Sequence, residues 1–459
     1  MLLKSIYFYY FVLFTSTLFA LQSCAEDDDY APVEPPLPII AQPDTAEVLQ
    51  NASVTISIFE NDENLPASGT VAVSASSNAN VAIVDGSTLP GTTVTYTPVL
   101  SFTGTDTFNY TVCSTNGTAC ATATVTVNVL NASPVNFDIA AVPYATLSEY
   151  NFFEGAMAAH QPVFGVLPYK PINELFSDYA KKARYIWMPP QVSATYDGDK
   201  NILGFPEGTV IIKTFYYNNV LPDNVRRNIE TRLLIKKNAE WVFADYIWDD
   251  QQNEAVLDLT GGFTQVDWLQ DGQPRSVNYR IPPLSECFTC HKADKVNIPI
   301  GPKPQNLNSN YTYPEGPSNQ LQKLIVQGYL EDALPDTINT VAHWLDAEVP
   351  LRDRVRGYLD INCAHCHADM GHCNYRPIRF SYFESDNDIN LGICESAQTP
   401  IPGYQKLIVP GDKENSIMYY RMNTVEEQYR MPLLGRRLQH DEGIELVGQW
   451  IDSLDGTCD

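Results

Sequence analysis

The sequence has few basic residues. Lys and Arg number 29 against 55 Asp and Glu, so the 459-residue chain carries a formal net charge of −26 at pH 7. Nucleic acids and anionic lipid headgroups attract proteins chiefly through Lys and Arg. The charge balance therefore argues against nucleic acid or an anionic lipid surface as a partner, and it would favour the docking of basic proteins.

The sequence also lacks the motifs of several enzyme classes. It contains no nucleophile–base array, no Gly-rich phosphate loop and no metalloprotease helix. The Asp and Glu residues in the middle of the chain show no spacing that specifies a glycosidase. No motif therefore supports hydrolase or nucleotide-binding chemistry.

The N-terminal apolar run, Ile6 to Leu21, follows Lys4 and is too short and too early for a convincing membrane span. It ends in Leu21-Gln22-Ser23-Cys24, which resembles a bacterial lipobox. The resemblance implies that residues 1–23 are a lipoprotein signal peptide and that Cys24 becomes the lipid-modified first residue. Simple secretion, with Cys24 removed or paired, is the alternative.

Residues 24–43 are predicted to form an acidic, Pro-rich tether. Glu26 and the three Asp residues after it resemble a surface-export signal of bacterial lipoproteins, although such a charge run could equally be a solvated linker. The stretch from Pro32 to Pro43 would be extended and stiff. The resemblance implies an outer membrane lipoprotein that is surface-exposed, or otherwise on the periplasmic face, and bound to the membrane by its lipid anchor.

Residues 44–131 have the pattern of a small all-β sandwich. Alternating stretches such as Val54–Ile58 and Ala123–Val129 are separated by turn-forming clusters. The regularly spaced residues between Tyr96 and Val112 resemble those of bacterial Ig-like, cadherin-like domains. The resemblance implies an Ig-like sandwich that serves as a spacer.

Two copies of Cys-x-x-Cys-His stand at Cys287–His291 and Cys363–His367, here called the first and second motifs. This is the spacing of covalent c-type haem attachment, in which both thiols bond to haem vinyl groups and the adjacent His ligates iron. Two chance matches are improbable in a chain with 10 Cys and 7 His. A disulfide or zinc site is the alternative, although the gap between the copies is longer than a zinc ribbon uses. The predicted haem-binding residues are Cys287, Cys290, His291, Cys363, Cys366, His367 and, as argued next, Met431.

The second motif is followed by the remaining parts of a small cytochrome. A helix is predicted from Leu351 to Asn362, directly before the motif, and another from His440 to Leu454. Between them, Met431 precedes a proline that favours an extended backbone, so its thioether is a candidate iron ligand opposite His367. Core filling is the alternative for Met431, and His440 is a weaker competitor for the sixth position.

The first motif has no comparable distal ligand, because no Met-Pro loop follows it before Asn319. The candidates are all distant in sequence: His160, Met157, Met188 and His343. The site could be bis-His, His-Met or five-coordinate. A five-coordinate iron with an open face would permit peroxide or small-ligand chemistry.

Cys363 to Leu454 resembles a class I cytochrome c domain with an insertion around Cys373–Cys394. Residues 163–459 resemble a family of bacterial dihaem c-type cytochromes often encoded beside a parallel β-helix protein. The matching stretches are Leu175–Ala180, Phe205–Val210, Ile229–Arg232 and Gly411–Ser416. The resemblance implies two covalent haem c groups and electron transfer between redox partner proteins, with no established substrate.

The predicted fold class is therefore multidomain, with the N-terminal all-β Ig-like sandwich followed by two further domains. Residues 135–318 are expected to form a β-rich domain that carries the first motif. Residues 319–459 are expected to form a mainly α cytochrome c-like domain that carries the second. Strands are predicted at Thr209–Tyr217, Glu230–Ile235 and Trp241–Trp248.

Disulfides are expected among the cysteines outside the lipobox and the motifs, because thiols pair in exported proteins. Cys113 and Cys120 flank an Asn-Gly turn and are predicted to bridge two hairpin strands. Cys373 and Cys394 bracket the insertion and are expected to staple it. That pairing would leave Cys458 unpaired near a frayed C-terminus.

Three functions follow as hypotheses. The first is a cell-envelope dihaem cytochrome that transfers electrons, with His291, His367 and Met431 as iron ligands. The second is a dihaem peroxidase-like oxidoreductase with catalysis at the first haem. The third is a surface binding protein whose Ig-like and aromatic-rich parts hold a glycan or a partner beside a fused haem module.

Overall fold

A computed structural model of the protein describes residues 37–84, 89–100 and 102–458. The chain divides into two compact units, Met1–Leu130 and Asn131–Asp459. The predicted signal peptide, the lipidation site Cys24 and most of the tether lie outside the described residues. Across the described ranges, no helix combines the length and the apolar character needed to cross a membrane.

The N-terminal unit is a two-sheet β-sandwich, as predicted. One sheet has the strand order β1–β7–β6–β3 and the other has the order β2–β5–β4. Alternate side chains of β6 are buried, among them Phe108 and Tyr110, and they form one core with Val94 and Tyr96 of β5. The strands are β1 Asp44–Leu49, β2 Val54–Ile56, β3 Gly69–Val73, β4 Ala79–Val84, β5 Thr93–Pro98, β6 Gly104–Ser114 and β7 Cys120–Leu130.

The predicted disulfide of this unit is confirmed. Cys113 and Cys120 lie opposite each other in the antiparallel register of β6 and β7. Their sulfur atoms are 2.02 Å apart.

The C-terminal unit is built on an eight-stranded sheet. Its main path is β10–β11–β12–β13–β14–β15, and β16 pairs with both β12 and β17. The three strands predicted from the sequence are confirmed: Glu230–Ile235 and Trp241–Trp248 fall within β13 and β14, and Thr209–Tyr217 begins one residue before β12. The strands are β8 Phe153–Glu154, β9 Gln161–Pro162, β10 Leu167–Pro168, β11 Lys181–Trp187, β12 Val210–Val220, β13 Val225–Lys237, β14 Glu240–Trp248, β15 Ala255–Leu257, β16 Gly262–Gln270 and β17 Gln273–Ile281.

Most of the helices follow this sheet. The predicted helices Leu351–Asn362 and His440–Leu454 are observed as α4 and α7, and these two pack together through Val355, Val447 and Ile451. The later elements are α1 Leu284–Cys290, β18 Lys292–Ala293, β19 Val296–Asn297, α2 Pro304–Leu307, β20 Asn310–Tyr313, β21 Gly316–Asn319, α3 Gln320–Val326, α4 Leu351–Cys363, α5 Asp388–Leu391, β22 Ser396–Ile401, β23 Tyr404–Lys406, α6 Ile417–Met422 and α7 Asp441–Asp452.

The expected Cys373–Cys394 disulfide is wrong, because Cys394 is bonded to Cys458. The segment after α7 returns to the insertion, where the Cys458 sulfur lies 3.8 Å from the carbonyl of Ile408. The same carbonyl accepts the backbone N–H of Cys394 at 2.9 Å, so both cysteines meet at one point. Cys373 is a free thiol, held beside the second motif by a 2.9 Å hydrogen bond from its N–H to the carbonyl of Cys366.

Candidate functional site

Each motif lies at the end of a helix. α1 begins after two prolines and ends at Cys290, and the N–H of His291 donates to the carbonyl of Cys287 at 2.9 Å. α4 ends at Cys363, whose carbonyl accepts the N–H of His367 at 3.0 Å. The second motif therefore has the same local turn as the first, with its histidine folded back toward its first cysteine.

The fold brings the two motifs into contact. The sulfur atoms of Cys290 and Cys366 and a ring nitrogen of His365 all lie within 4.8 Å of one another. Hydrogen bonds from Cys366 and His365 lower the pKa of the Cys290 thiol to about 5. The pKa of Cys366 is raised, since its thiol is the donor to the Cys290 sulfur.

The first cavity is lined by Cys287, Cys290 and His291. Its opposite side includes residues of the large sheet. Lys213, Arg232 and Asp245 face one another in the registers of β12, β13 and β14 and line this cavity as a polar row.

His291 is held in the tautomer that suits metal ligation. Its Nδ1 donates a hydrogen bond to the carbonyl of Ile298 at 2.9 Å, which leaves the lone pair on Nε2 free. Burial lowers the pKa of His291 to about 3, so the imidazole is neutral at physiological pH. A neutral imidazole whose other nitrogen donates to a carbonyl is the usual state of a histidine ligand.

Two members of the polar row, Arg232 and Asp245, interact with the buried Glu230. Arg232 donates to Glu230 through Nε and Nη2 at 3.0 and 2.6 Å, and the Tyr279 hydroxyl donates to Glu230 at 2.6 Å. Burial, reinforced by Glu230, raises the pKa of Asp245 well above its usual range. Burial also opposes ionisation of Glu230, but Arg232 and the hydrogen bonds keep its pKa below the ordinary value. Asp245 is therefore the protonated member of this carboxyl pair.

Lys213 has no acidic partner among the ion pairs of the described residues. Its ammonium group lies 4.7 Å from the centre of the Phe215 ring. Burial, followed by the nearby Arg184, Lys182 and Arg232, lowers the pKa of Lys213 well below its usual range. Lys213 thus presents an uncompensated amine to the first cavity.

The second cavity is lined by both Cys363 and His367. Met431 lines the same cavity, as do Met418 and Met422. Burial lowers the pKa of His367 to about 4, which makes this imidazole neutral as well. Its Nδ1 is buried without a hydrogen-bond partner among the described residues.

The loop that carries Met431 is fixed by Arg436, whose side chain is buried. The guanidinium group donates to the carbonyls of Met431 and Leu438, both at 3.1 Å, and to those of Arg421 and Thr424, both at 2.9 Å. The N–H of Met431 donates to the same Arg421 carbonyl at 2.9 Å. The backbone at Met431 is therefore held in place by hydrogen bonds that do not involve its sulfur.

The two cavities have a wall in common. Phe176, Asn362, Pro432 and Arg436 line both of them. The N–H of Phe176 donates to the Asn362 side chain at 2.8 Å, and the Asn362 amide donates to the carbonyl of Tyr358 at 2.9 Å. These bonds tie the wall to α4 and hence to the second motif.

The predicted distal residues for the first motif are not part of the first cavity's lining. Met157 packs against the core that contains Phe153 and Trp248, and His160 contacts the Trp248 ring. Met188 is buried in another core, and His343 is exposed. The lining, as far as the structure describes it, contains no methionine and only one further histidine, His365.

His440, the competitor at the second cavity, is engaged elsewhere. Its Nδ1 is hydrogen-bonded to the Tyr358 hydroxyl at 2.9 Å, and its Nε2 lies 3.6 Å from a Glu442 oxygen. Its ring stacks on Phe176 with the centroids 4.2 Å apart. His440 thus has a hydrogen-bond partner at Nδ1 and packs against Phe176, one of the wall residues.

Sequence reasoning missed the residues that complete the cavities. Lys213, Asp245 and Arg436 carried no motif, and Arg232 stood in a stretch that resembles the dihaem family without a predicted role. His365, inside the second motif, had no predicted role and lies close to cysteines of both motifs. Their positions depend on pairings between distant segments, which a linear pattern does not reveal.

Residues 34–128 match the family model described as the bacterial Ig domain. The N-terminal unit is a bacterial Ig domain. No curated protein matches the chain. The 2,6-sialyltransferase of Photobacterium sp. JT-ISH-224, solved with CMP and lactose, is 13% identical over 20% of this chain and 18% of its own, with a TM-score of 0.15. A chimeric titin Z1Z2 with a decorin peptide is 10% identical over 52% of this chain and 92% of its own, with a TM-score of 0.17.

The chain thus spans less than a fifth of the sialyltransferase that it matches. TM-scores this low carry no information about the rest of the fold. The Ig family match concerns the N-terminal unit, and the C-terminal unit must be interpreted from its own residues.

Proposed function

We propose that the protein is a dihaem c-type cytochrome of the cell envelope that transfers electrons between redox partner proteins. The observation that carries this proposal is that each Cys-x-x-Cys-His motif lines its own cavity. In each cavity the histidine stands among the lining residues with at least one motif cysteine. The C-terminal helices α4, α6 and α7 would then form a cytochrome c-like part around the second motif.

The cavities suit a large planar cofactor. Each cavity combines a motif histidine with apolar side chains, such as Phe380 and Leu407 in the second and Phe243 and Leu284 in the first. Cationic side chains line both cavities, although the chain as a whole is strongly acidic. Haem carries two carboxylates, which Arg binds through paired hydrogen bonds. The cationic lining residues are Arg232, Arg280, Arg430 and Arg436 in the first cavity and Arg376, Arg421 and Arg436 in the second.

The protein's own groups would tether the haem and set its ligation. Cys287, Cys290, Cys363 and Cys366 would form the thioether bonds, and His291 and His367 would ligate iron. Haem supplies a one-electron couple between ferrous and ferric iron. Met431, fixed by Arg436, would ligate the second iron and favour its ferrous form, because a soft thioether raises the potential.

A zinc site is the main competing interpretation, because Cys290, His365 and Cys366 could together hold a metal ion. Three protein ligands are one fewer than a structural zinc site uses. Such a site would also leave His291 and His367 without a role and would not account for the two cavities. The geometry therefore favours haem over zinc.

The test is to express the chain with cytochrome c maturation and to count cofactors. Haem staining after SDS denaturation and the pyridine haemochrome spectrum should give two covalent haems per chain. The double variants Cys287→Ser/Cys290→Ser and Cys363→Ser/Cys366→Ser should each retain one. Stoichiometric zinc with no stainable haem would contradict the proposal.

A second candidate function is small-ligand chemistry at the first site, as in a dihaem peroxidase-like oxidoreductase. It is favoured by the first cavity's described lining, which offers Lys213 and the protonated Asp245 but no methionine. An iron without a sixth protein ligand could accept a small molecule there. A high-spin signal that disappears on adding cyanide, together with peroxide turnover, would support it, whereas two low-spin haems without turnover would contradict it.

The cellular setting belongs to the same proposal. Cys24 would anchor the chain to the outer membrane, and the Ig domain would act as a spacer. A parallel β-helix protein is a candidate partner through the family resemblance. Labelling with a fatty-acid analogue that is lost in Cys24→Ala tests the anchor.

A further inference from the structure

We propose that the two haems of this chain lie edge to edge across Cys290 and Cys366 and work as one electron-transferring pair. The inference rests on the proposed function, since it requires both motifs to carry haem. It goes further, because two haems attached to one chain need not be close enough to exchange electrons directly.

The first argument is the distance between the attachment atoms. The sulfur atoms of Cys290 and Cys366 are within 4.8 Å of each other. In a c-type attachment each sulfur is bonded to a carbon on the rim of its porphyrin. The rims are therefore separated by little more than these two sulfur atoms and the gap between them.

The second argument is the wall between the cavities. It consists of single side chains, Phe176, Asn362, Pro432 and Arg436, each of which lines both cavities. Asn362 directly precedes the second motif and is fixed by hydrogen bonds to Phe176 and Tyr358. A wall one residue thick, held by the helix that ends in the motif, keeps the two cofactors at a fixed short separation.

The third argument is the position of His365. This residue stands between the two cysteines of the second motif, and its ring nitrogen lies within 4.8 Å of both Cys290 and Cys366. Its Nδ1 is buried without a hydrogen-bond partner among the described residues. His365 therefore places an aromatic ring next to both attachment sulfurs.

The exchange is a single electron transfer. With haem bound at both sites, the iron held by His291 would pass from ferrous to ferric, and the iron held by His367 would take up that electron and pass from ferric to ferrous. No bond or proton is transferred. The second site is the acceptor because Met431 lines its cavity, whereas the described lining of the first cavity holds no methionine. A one-electron donor protein would load the first site, and a one-electron acceptor would unload the second.

The first experiment is circular dichroism in the Soret region on the full-length oxidised protein. Two strong porphyrin transitions in near contact should couple and give a pair of bands of opposite sign. The variants Cys287→Ser/Cys290→Ser and Cys363→Ser/Cys366→Ser should each keep one haem and lose the couplet completely. If the two variant spectra add up to the wild-type spectrum, the pair is refuted, while a wild-type chain without haem would instead refute the proposed function.

The second experiment needs no variant and covers the case in which these do not fold. The power saturation of the first haem's ferric signal is measured by electron paramagnetic resonance in the fully oxidised protein and after one equivalent of dithionite electrons has reduced the second haem, which has the higher potential. A neighbouring ferric iron should speed relaxation, so samples in which the second haem is reduced should saturate at lower power. Identical saturation whatever the state of the second haem would refute the pair.

Discussion

At the scale of single residues, the C-terminal unit depends on histidines that stay uncharged inside it. His160 lies between the rings of Phe153 and Trp248, and its Nδ1 is 2.6 Å from the Arg226 guanidinium. Burial, followed by the positive charge of Arg226, lowers the pKa of His160 to about 3. Protonation of this ring therefore opposes folding.

The first prediction is a pH dependence of stability. Between about pH 6.5 and about pH 3 the unfolded chain binds a proton at His160 that the folded chain does not bind. The neutral His160 therefore makes its full contribution to stability above about pH 6.5. As the pH falls below this value, the contribution decreases by up to about 1.4 kcal/mol per pH unit. His160→Asn should remove this slope in urea titrations at several pH values. The exposed His343→Asn is the control, and an unchanged slope in His160→Asn would contradict the prediction.

The second prediction concerns Met431. Met431→Leu keeps the apolar volume but removes the thioether, so, on the proposed function, the ferric protein should lose the near-infrared band of methionine ligation. The midpoint potential of one haem should fall by on the order of 0.1 V, within the ~0.8 V that axial ligands span. Met418→Leu changes a neighbour in the same cavity lining and should leave both measurements unchanged. Loss of the band in Met418→Leu alone would assign the ligand to Met418.

At the scale of elements, periodic segments were predictable and their partners were not. The strands β12 to β14 and the helices α4 and α7 follow apolar patterns that are local in sequence. The contact between Cys290 and Cys366 joins the ends of α1 and α4, which are separated by α2, α3 and two hairpins. No local preference encodes such a contact, because it results from how the whole C-terminal unit packs.

The disulfide that was predicted wrongly has the same explanation. Cys373 and Cys394 bracket an insertion in sequence, but the segment after α7 brings Cys458 to Cys394. The hairpin disulfide Cys113–Cys120 was predictable because its strands and turn are adjacent in the chain. Proximity in sequence was informative only where the connecting turn was itself recognisable.

The third prediction follows from the Cys394–Cys458 bond. Cross-linking cysteines with a sequence separation of 64 should stabilise the C-terminal unit by about 4 kcal/mol through the lost entropy of the unfolded chain. Cys394→Ser and Cys458→Ser should therefore lower stability equally, and the double variant should add little. Cys373→Ser removes a free thiol and is the control. A larger loss in Cys373→Ser would contradict this disulfide assignment.

At the scale of the whole molecule, the two units have separate cores, which predicts separate unfolding transitions. In the Ig domain the buried Asp106 accepts hydrogen bonds from the Tyr96 hydroxyl at 2.8 Å and from the N–H of Thr107 at 2.9 Å. Sequence alone predicted this domain well, because its strands alternate strictly and its hairpins are local.

The fourth prediction tests this independence. Asp106→Asn weakens buried hydrogen bonds to a charged acceptor, which should cost about 1–3 kcal/mol and lower the Tm of the Ig transition by several degrees. In calorimetry of the full chain the transition of the C-terminal unit should not move. The exposed Glu47→Gln is the control, and a single shared transition that shifts as a whole would contradict the prediction.

The closeness of Cys290 and Cys366 also has a consequence for biogenesis. In an oxidising compartment each thiol is the nearest reaction partner of the other, and a bond between them would block one attachment point in each motif. On the proposed function, attachment of haem to Cys290 and Cys366 competes with oxidation of these thiols to a disulfide during maturation. A reductant that keeps these two sulfurs free would therefore be as necessary to assembly as the haem supply itself.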